Sequence, residues 1–165
     1  MIVTLTGYMG SGKSSVGREL ASLTGLLFID LDEYIEHKTG QSIPGIIADG
    51  EDRFRAIEAE AFRDIVIMRE IRNESAVVAL GGGTVETEAV WHLIFGHTTC
   101  VYLKASFESC EARTGADTGQ RPLFSRDLYE KRLPLYEKAQ FSVETDGRTT
   151  EEIAAEIREK LENFR

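Results

Sequence analysis

Cysteine is scarce. Cys100, in a strand-like run, and Cys110, in a helix-like one, are the 2 thiols of a 165-residue chain. Their spacing fits no metal-ligand pattern, so they read as buried or bystander thiols of a reducing cytosol. Positive charge is in deficit: 19 Lys and Arg stand against 28 Asp and Glu, a formal net charge of −9. That balance argues against nonspecific binding to nucleic acid or to an anionic membrane, both of which need a basic surface. No apolar run approaches the ~20 residues of a membrane span. The first strand-like run begins at Ile2, which leaves no room for a signal peptide and makes the cytoplasm the expected location.

What is there belongs to a soluble globular chain: 42% hydrophobic and 28% charged residues, long enough for one domain with a real core. Strand-like runs at Ile2–Thr6, Leu26–Ile29, Ala76–Leu80, Thr99–Leu103 and Phe141–Glu144 are almost continuously apolar, as in a parallel sheet covered on both faces. Helical patterns lie between and after them, at Lys13–Thr24, Leu31–Lys38, Ser42–Asp49, Glu51–Asn73, Glu86–Phe95, Phe107–Arg113, Arg126–Ala139 and Thr150–Asn163. Such alternation predicts an α/β fold with ligands at the carboxyl ends of the strands. About 45 residues separate the second and third strands, far beyond an ordinary connection, so residues 31–73 read as a helical insertion. The small polar and glycine residues of 114–124 suit a lid.

The most informative stretch is Gly7-Tyr8-Met9-Gly10-Ser11-Gly12-Lys13-Ser14, set between a strand and a helix. This is the phosphate-binding loop pattern in its proper context. Glycines let successive N–H groups point into one concavity, and the helix dipole adds positive potential suited to a polyphosphate. Lys13 would reach the β- and γ-phosphates and Ser14 would ligate Mg²⁺. The chain therefore binds a nucleoside triphosphate.

Further candidates follow in order. Asp30 ends the second strand, where an acid can hold a Mg²⁺-bound water. Asp32 is either the N-cap of the next helix or the carboxylate that orients and deprotonates an attacking hydroxyl. Phe54, Arg55 and Glu58 share one helical turn: a surface ion pair, or a guanidinium held rigid to grip a carboxylate beside an apolar wall. Gly81-Gly82-Gly83 is conformationally expensive, and makes sense as a floor that lets backbone approach a ligand. The one sizeable basic cluster runs from Arg113 to Lys138. Within it, Arg132 is either a solvated helix residue or part of a site. Arg121, in the lid, could bring charge to a transferring phosphoryl group.

Together these motifs, ending in Arg121-Pro122-Leu123 and Arg132-x-Pro134-Leu135-Tyr136, resemble shikimate kinase over essentially the whole chain. The resemblance implies ATP-dependent phosphorylation of the 3-hydroxyl of shikimate in aromatic amino-acid biosynthesis. It implies a P-loop fold with five parallel strands in the order 2-3-1-4-5, the 31–73 insertion binding substrate, Mg²⁺ as cofactor, and a monomer whose partners are ATP and shikimate. Carried over by position, Gly10, Ser11, Gly12, Lys13, Ser14 and Ser15 take the phosphates, Ser14 and Asp30 (through water) serve the metal, and Asp32 is the candidate base. Phe54, Arg55, Gly81, Gly82, Gly83 and Arg132 bind shikimate, Arg121 is the lid cation, and Arg113 stacks on adenine. The proline that often covers the other adenine face is missing from Asp146-Gly147-Arg148-Thr149-Thr150, where Arg148 is the candidate contact. Gluconate-type or nucleotide kinases, and a nucleotide-binding regulator, are the competing readings; the regulator leaves Arg55, the triple glycine and Arg132 unexplained.

Overall fold

The computed structural model describes residues 1–115 and 124–164. Among them, β1 (Ile2–Thr6), β2 (Leu27–Asp30), β3 (Ala76–Ala79), β4 (Thr99–Lys104) and β5 (Phe141–Glu144) form one sheet in the order β2-β3-β1-β4-β5. Each neighbouring pair is parallel; Val3 registers with Val77 on one side and with Thr99 on the other.

The strands are apolar on both faces because both faces are covered. Val3, Leu5, Val77, Val101, Leu103 and Val143 pack against α1 (Lys13–Thr24) and α8 (Thr150–Asn163). Ile2, Ala76, Val78 and Cys100 point the other way, into a core shared with α4 (Glu51–Arg72) and α5 (Trp91–Gly96). The connection from β2 to β3 is helical: α2 (Leu31–Thr39), α3 (Ile43–Ala48) and α4. Leu31, Ile35, Ile46, Phe54 and Phe62 bury their side chains in that same core, which anchors these helices to the sheet. Phe62 is fully buried; its truncation to alanine costs about 3–5 kcal/mol.

Three stretches depart from the sequence expectation. The helix expected over Glu86–Phe95 is instead two 3₁₀ turns, Thr84–Glu86 and Glu88–Val90, followed by the short α5. Thr87 between them is extended (φ −87°, ψ 92°), and the Thr84 and Thr87 hydroxyls donate to the Glu58 carboxylate. These two bonds tie the segment to Glu58 on α4, and at Thr87 the backbone leaves the helical conformation. A second departure is at β2, which covers Leu27–Asp30 and so lies one residue later than the run Leu26–Ile29. The remaining helices are α6 (Phe107–Thr114) and α7 (Arg126–Tyr136), the latter stopping two residues beyond Pro134 rather than at Ala139.

Candidate active site

The loop between β1 and α1 turns through positive φ at Gly7, Gly10 and Gly12. At Gly10 (φ 82°) a Cβ would also lie 2.7 Å from the Cys110 carbonyl oxygen of α6, so the position excludes a side chain twice over. Gly12 caps α1 with no side-chain bond to the helix N-terminus, leaving the first amides available to an anion. Lys13 folds back over the loop, its Nζ donating to the Gly7 carbonyl at 2.7 Å and to that of Tyr8 at 2.9 Å. Ser11 is buried, and its Oγ has no hydrogen-bond partner among the described residues.

Asp30 joins this loop to the next helix. One carboxylate oxygen accepts the Ser14 hydroxyl at 2.5 Å, and the other accepts the Glu33 N–H at 3.1 Å as the N-cap of α2. The cap is therefore Asp30 and not Asp32. The reason is that β2 lies one residue later than expected, so that its last residue, Asp30, keeps the extended backbone (φ −93°, ψ 121°) that a cap needs. Asp32 falls in the first turn of α2, where its Oδ1 is buried without a hydrogen-bond partner among the described residues. Burial, then the nearby carboxylates of Glu58 and Asp30, push its pKa up to about 6, against the opposing pull of Lys13. The carboxyl thus lines the cleft in an environment that favours its protonated form.

Opposite the loop, α4 and α7 each supply an arginine. Arg55 Nη1 donates to Glu58 Oε1 at 2.9 Å, and Glu58, fully buried, also accepts the Thr84 hydroxyl at 2.8 Å. Burial of Glu58 excludes the reading as a surface ion pair. Arg132 is not a solvated helix residue either, since only 2% of its surface is exposed. Its Nε and Nη2 donate to Glu86 Oε2 at 3.2 and 3.1 Å, and Arg55 Nη2 lies 3.7 Å from the same oxygen. The two guanidinium groups thus converge on one point, far apart in sequence though they are.

The triple glycine is the surface they rest on. A Cβ at Gly83 would run into Arg55 Nη2 and come within 2.7 Å of Arg132 Nη2, while one at Gly81 would sit 2.9 Å from Glu58 Oε2 and 3.2 Å from Asp32 Oδ1. Tyr136 Oη donates to the Gly82 carbonyl at 2.6 Å and ties this floor to α7.

Gly10, Gly12, Lys13, Ser14, Ser15, Asp30, Asp32, Phe54, Arg55, the three glycines, Arg113 and Arg132 all line one cleft of about 720 Å³. Ile43, Pro44 and Ile47 of α3 add an apolar wall, and Glu36 and Glu58 add carboxylates. The α3 residues are members that sequence reasoning missed, since α3 was visible as a helix but nothing local signals which face it presents; Glu86, also missed, pairs with the arginines without itself lining the cleft. Arg113 donates from Nη1 to the Gly10 carbonyl at 3.1 Å, beside the phosphate loop. Arg148 does not reach the cleft. It is held by the Glu144 carbonyl at 2.8 Å and by Glu156 at 2.5 Å, because α8 presents that acid next to it. Arg121 and residues 116–123 of the expected lid lie outside the described residues.

Comparison with known proteins agrees with this geometry. The shikimate kinase family model matches residues 9–162. A shikimate kinase of Thermus thermophilus is 45% identical, over 96% of this chain and 89% of its own length. That of Chlorobium limicola is 40% identical, over 94% of this chain and 86% of its own. Among solved structures, shikimate kinase from Acinetobacter baumannii in complex with shikimate superposes with a TM-score of 0.90 at 32% identity, covering 99% of this chain and 94% of that one. The enzyme from Aquifex aeolicus gives 0.81 at 30% identity, covering 99% and 97%. On its strand order, its site and these matches, the chain belongs to the shikimate kinase family.

Proposed function

We propose that this protein transfers the γ-phosphoryl group of ATP to the 3-hydroxyl of shikimate. One observation carries the reading: a phosphate loop with its lysine, a carboxylate with a raised pKa and two convergent arginines line a single cleft. A phosphate site, a base and a carboxylate clamp are what a kinase of a small polyhydroxy acid requires.

In this reading the loop amides from Gly10 to Ser15 and the Lys13 ammonium hold the β- and γ-phosphates. Ser14 and Asp30 offer a hydroxyl and a carboxylate already in contact, a hard-oxygen pair that fits Mg²⁺, which usually takes one or two protein oxygens beside substrate phosphates. Bound there, the ion would neutralise charge on the phosphates. Arg55 and Arg132 take the shikimate carboxylate, and the glycine floor lets the ring lie close to backbone. Phe54 and the α3 wall exclude water from the apolar edge.

Asp32 orients the 3-hydroxyl and accepts its proton as the oxygen attacks the γ-phosphorus. ADP leaves from the opposite side, and its new charge is met by the loop. A carboxylate near pKa 6 is ionised at neutral pH yet more basic than an ordinary aspartate, which suits this task. Arg113, bonded to the phosphate loop at Gly10, is the residue we assign to stacking on adenine, and Arg121 is assigned from sequence as the lid cation. We read the enzyme as a cytoplasmic monomer; no helix among the described residues is long and apolar enough to cross a membrane.

The test is ADP release in a coupled assay with shikimate, gluconate or a nucleoside monophosphate as acceptor. Turnover with shikimate alone supports the reading. Turnover with either of the others, and none with shikimate, overturns it.

A further inference from the structure

Glu86 has no place in the motifs read from the sequence, yet its carboxylate occupies the point where the two arginines meet. Oε2 accepts from Arg132 Nε at 3.2 Å and Nη2 at 3.1 Å and lies 3.7 Å from Arg55 Nη2. Oε1 lies 3.8 Å from Nζ of Lys131, whose side chain is 74% exposed. The other acids around the pair engage Arg55 alone: Glu58 at 2.9 Å and Glu51 at 3.9 Å. Among the described residues Arg132, nearly inaccessible to water, thus has Glu86 as its counter-ion.

We propose that Glu86 is a specificity-determining residue that occupies the carboxylate clamp and yields it to the substrate. The inference rests on the assignment of Arg55 and Arg132 to the shikimate carboxylate. A buried guanidinium without an anion is strongly disfavoured. Glu86 fills that need while the cleft is empty. With both glutamates in place the four groups Arg55, Arg132, Glu58 and Glu86 sum to zero charge. An arriving carboxylate that simply added to them would leave a net negative charge in a poorly solvated place. Exchange of Glu86 for the substrate carboxylate keeps the sum at zero, and Lys131 is positioned to receive the displaced side chain.

The backbone allows the exchange. Glu86 ends a 3₁₀ turn next to the extended Thr87 and is not locked inside a helix, and its side chain is 20% exposed, so it has a way out to water. A neutral hydroxy compound of the same shape cannot replace the charge, and it leaves Glu86 seated. The resident carboxylate thereby weakens acid binding somewhat but raises discrimination against uncharged analogues.

The competing role for Glu86 is to hold Arg132 in its working orientation, and the two roles predict opposite signs. We would measure the dissociation constant for shikimate by titration, and KM and kcat by ADP release, for wild type, Glu86→Gln and Glu86→Asp. Competitor exchange predicts that Glu86→Gln binds shikimate more tightly, by roughly 3- to 10-fold, because an amide competes less well than a carboxylate for the guanidinium. KM should fall with it. Glu86→Asp keeps the charge beside Lys131 and retracts it by one methylene, so it should move the same way by less. It also carries the test if Glu86→Gln fails to fold. Without ligand, Glu86→Gln should melt below wild type and gain more from added shikimate. Weaker or unchanged shikimate binding in the folded variants would overturn the exchange. Absence of shikimate turnover in wild type would instead overturn the functional reading itself.

Discussion

Glu58 Oε1 lies 2.9 Å from Arg55 Nη1, and Glu58 is fully buried. Its other oxygen is taken by the Thr84 hydroxyl at 2.8 Å. The guanidinium of Arg55, which lines the cleft, is therefore set by a carboxylate that cannot itself move to solvent. Replacing Arg55 by lysine keeps the charge and loses the planar fork. We expect Arg55→Lys to weaken shikimate binding by about 1–3 kcal/mol, the scale of a charged hydrogen bond. The nucleotide dissociation constant, measured in parallel, should not change. Equal losses for both ligands would mean a damaged fold.

Gly83 tests the floor. Its backbone (φ −106°, ψ 3°) is open to alanine, so a substitution there introduces no backbone strain. The new methyl would instead collide with the ends of Arg55 and Arg132. Gly83→Ala should fold, with a melting temperature near that of wild type, and lose roughly 100-fold in kcat/KM for shikimate through displacement of the clamp. Normal kinetics would show that the arginines do not hold the substrate where we place it.

How far the site was legible in the sequence depends on the reach of each signal. The phosphate loop, Asp30, Arg55 with Glu58 and the triple glycine are local patterns, each complete within a few residues, and all of them meet in the cleft. Parallel order β2-β3-β1-β4-β5 was expected from the family resemblance and is the order observed. Glu86 was invisible because its meaning comes from Arg132, brought to it by a fold contact between a 3₁₀ turn and α7. The overextended helix at Glu86–Phe95 has the same origin: the threonines that break it bond to Glu58, on another element. Arg148 is not among the residues that line the cleft; its partner Glu156 lies on the following helix, a pairing that no local pattern signals. That Asp30 caps α2 in place of Asp32 follows from a one-residue shift of the strand, which periodicity does not resolve.

Asp32 makes a prediction in pH. Its folded-state pKa, about 6, lies above the ordinary value of 3.8, so the fold favours the protonated carboxyl. Between those two values stability falls as pH rises, and above about 6 the penalty is complete. In the nucleotide-free, metal-free protein, Asp32→Asn removes the penalty. It should raise the melting temperature at pH 8 by about 2–5 °C and change it little at pH 4. The same variant should bind ATP and lose turnover. Turnover at the wild-type rate would reduce Asp32 to a structural residue, and an identical shift at both pH values would contradict the burial argument.

The central claim is that this cleft joins the γ-phosphate of ATP to one particular hydroxyl of shikimate. Its most direct test is phosphorus and proton NMR of the reaction mixture containing enzyme, Mg²⁺, ATP and shikimate. The account predicts one new phosphomonoester signal, coupled to the ring proton at C3 and growing in step with ADP. Free phosphate in its place, or a phosphoester at another ring position, would contradict the arrangement of clamp, floor and base described above.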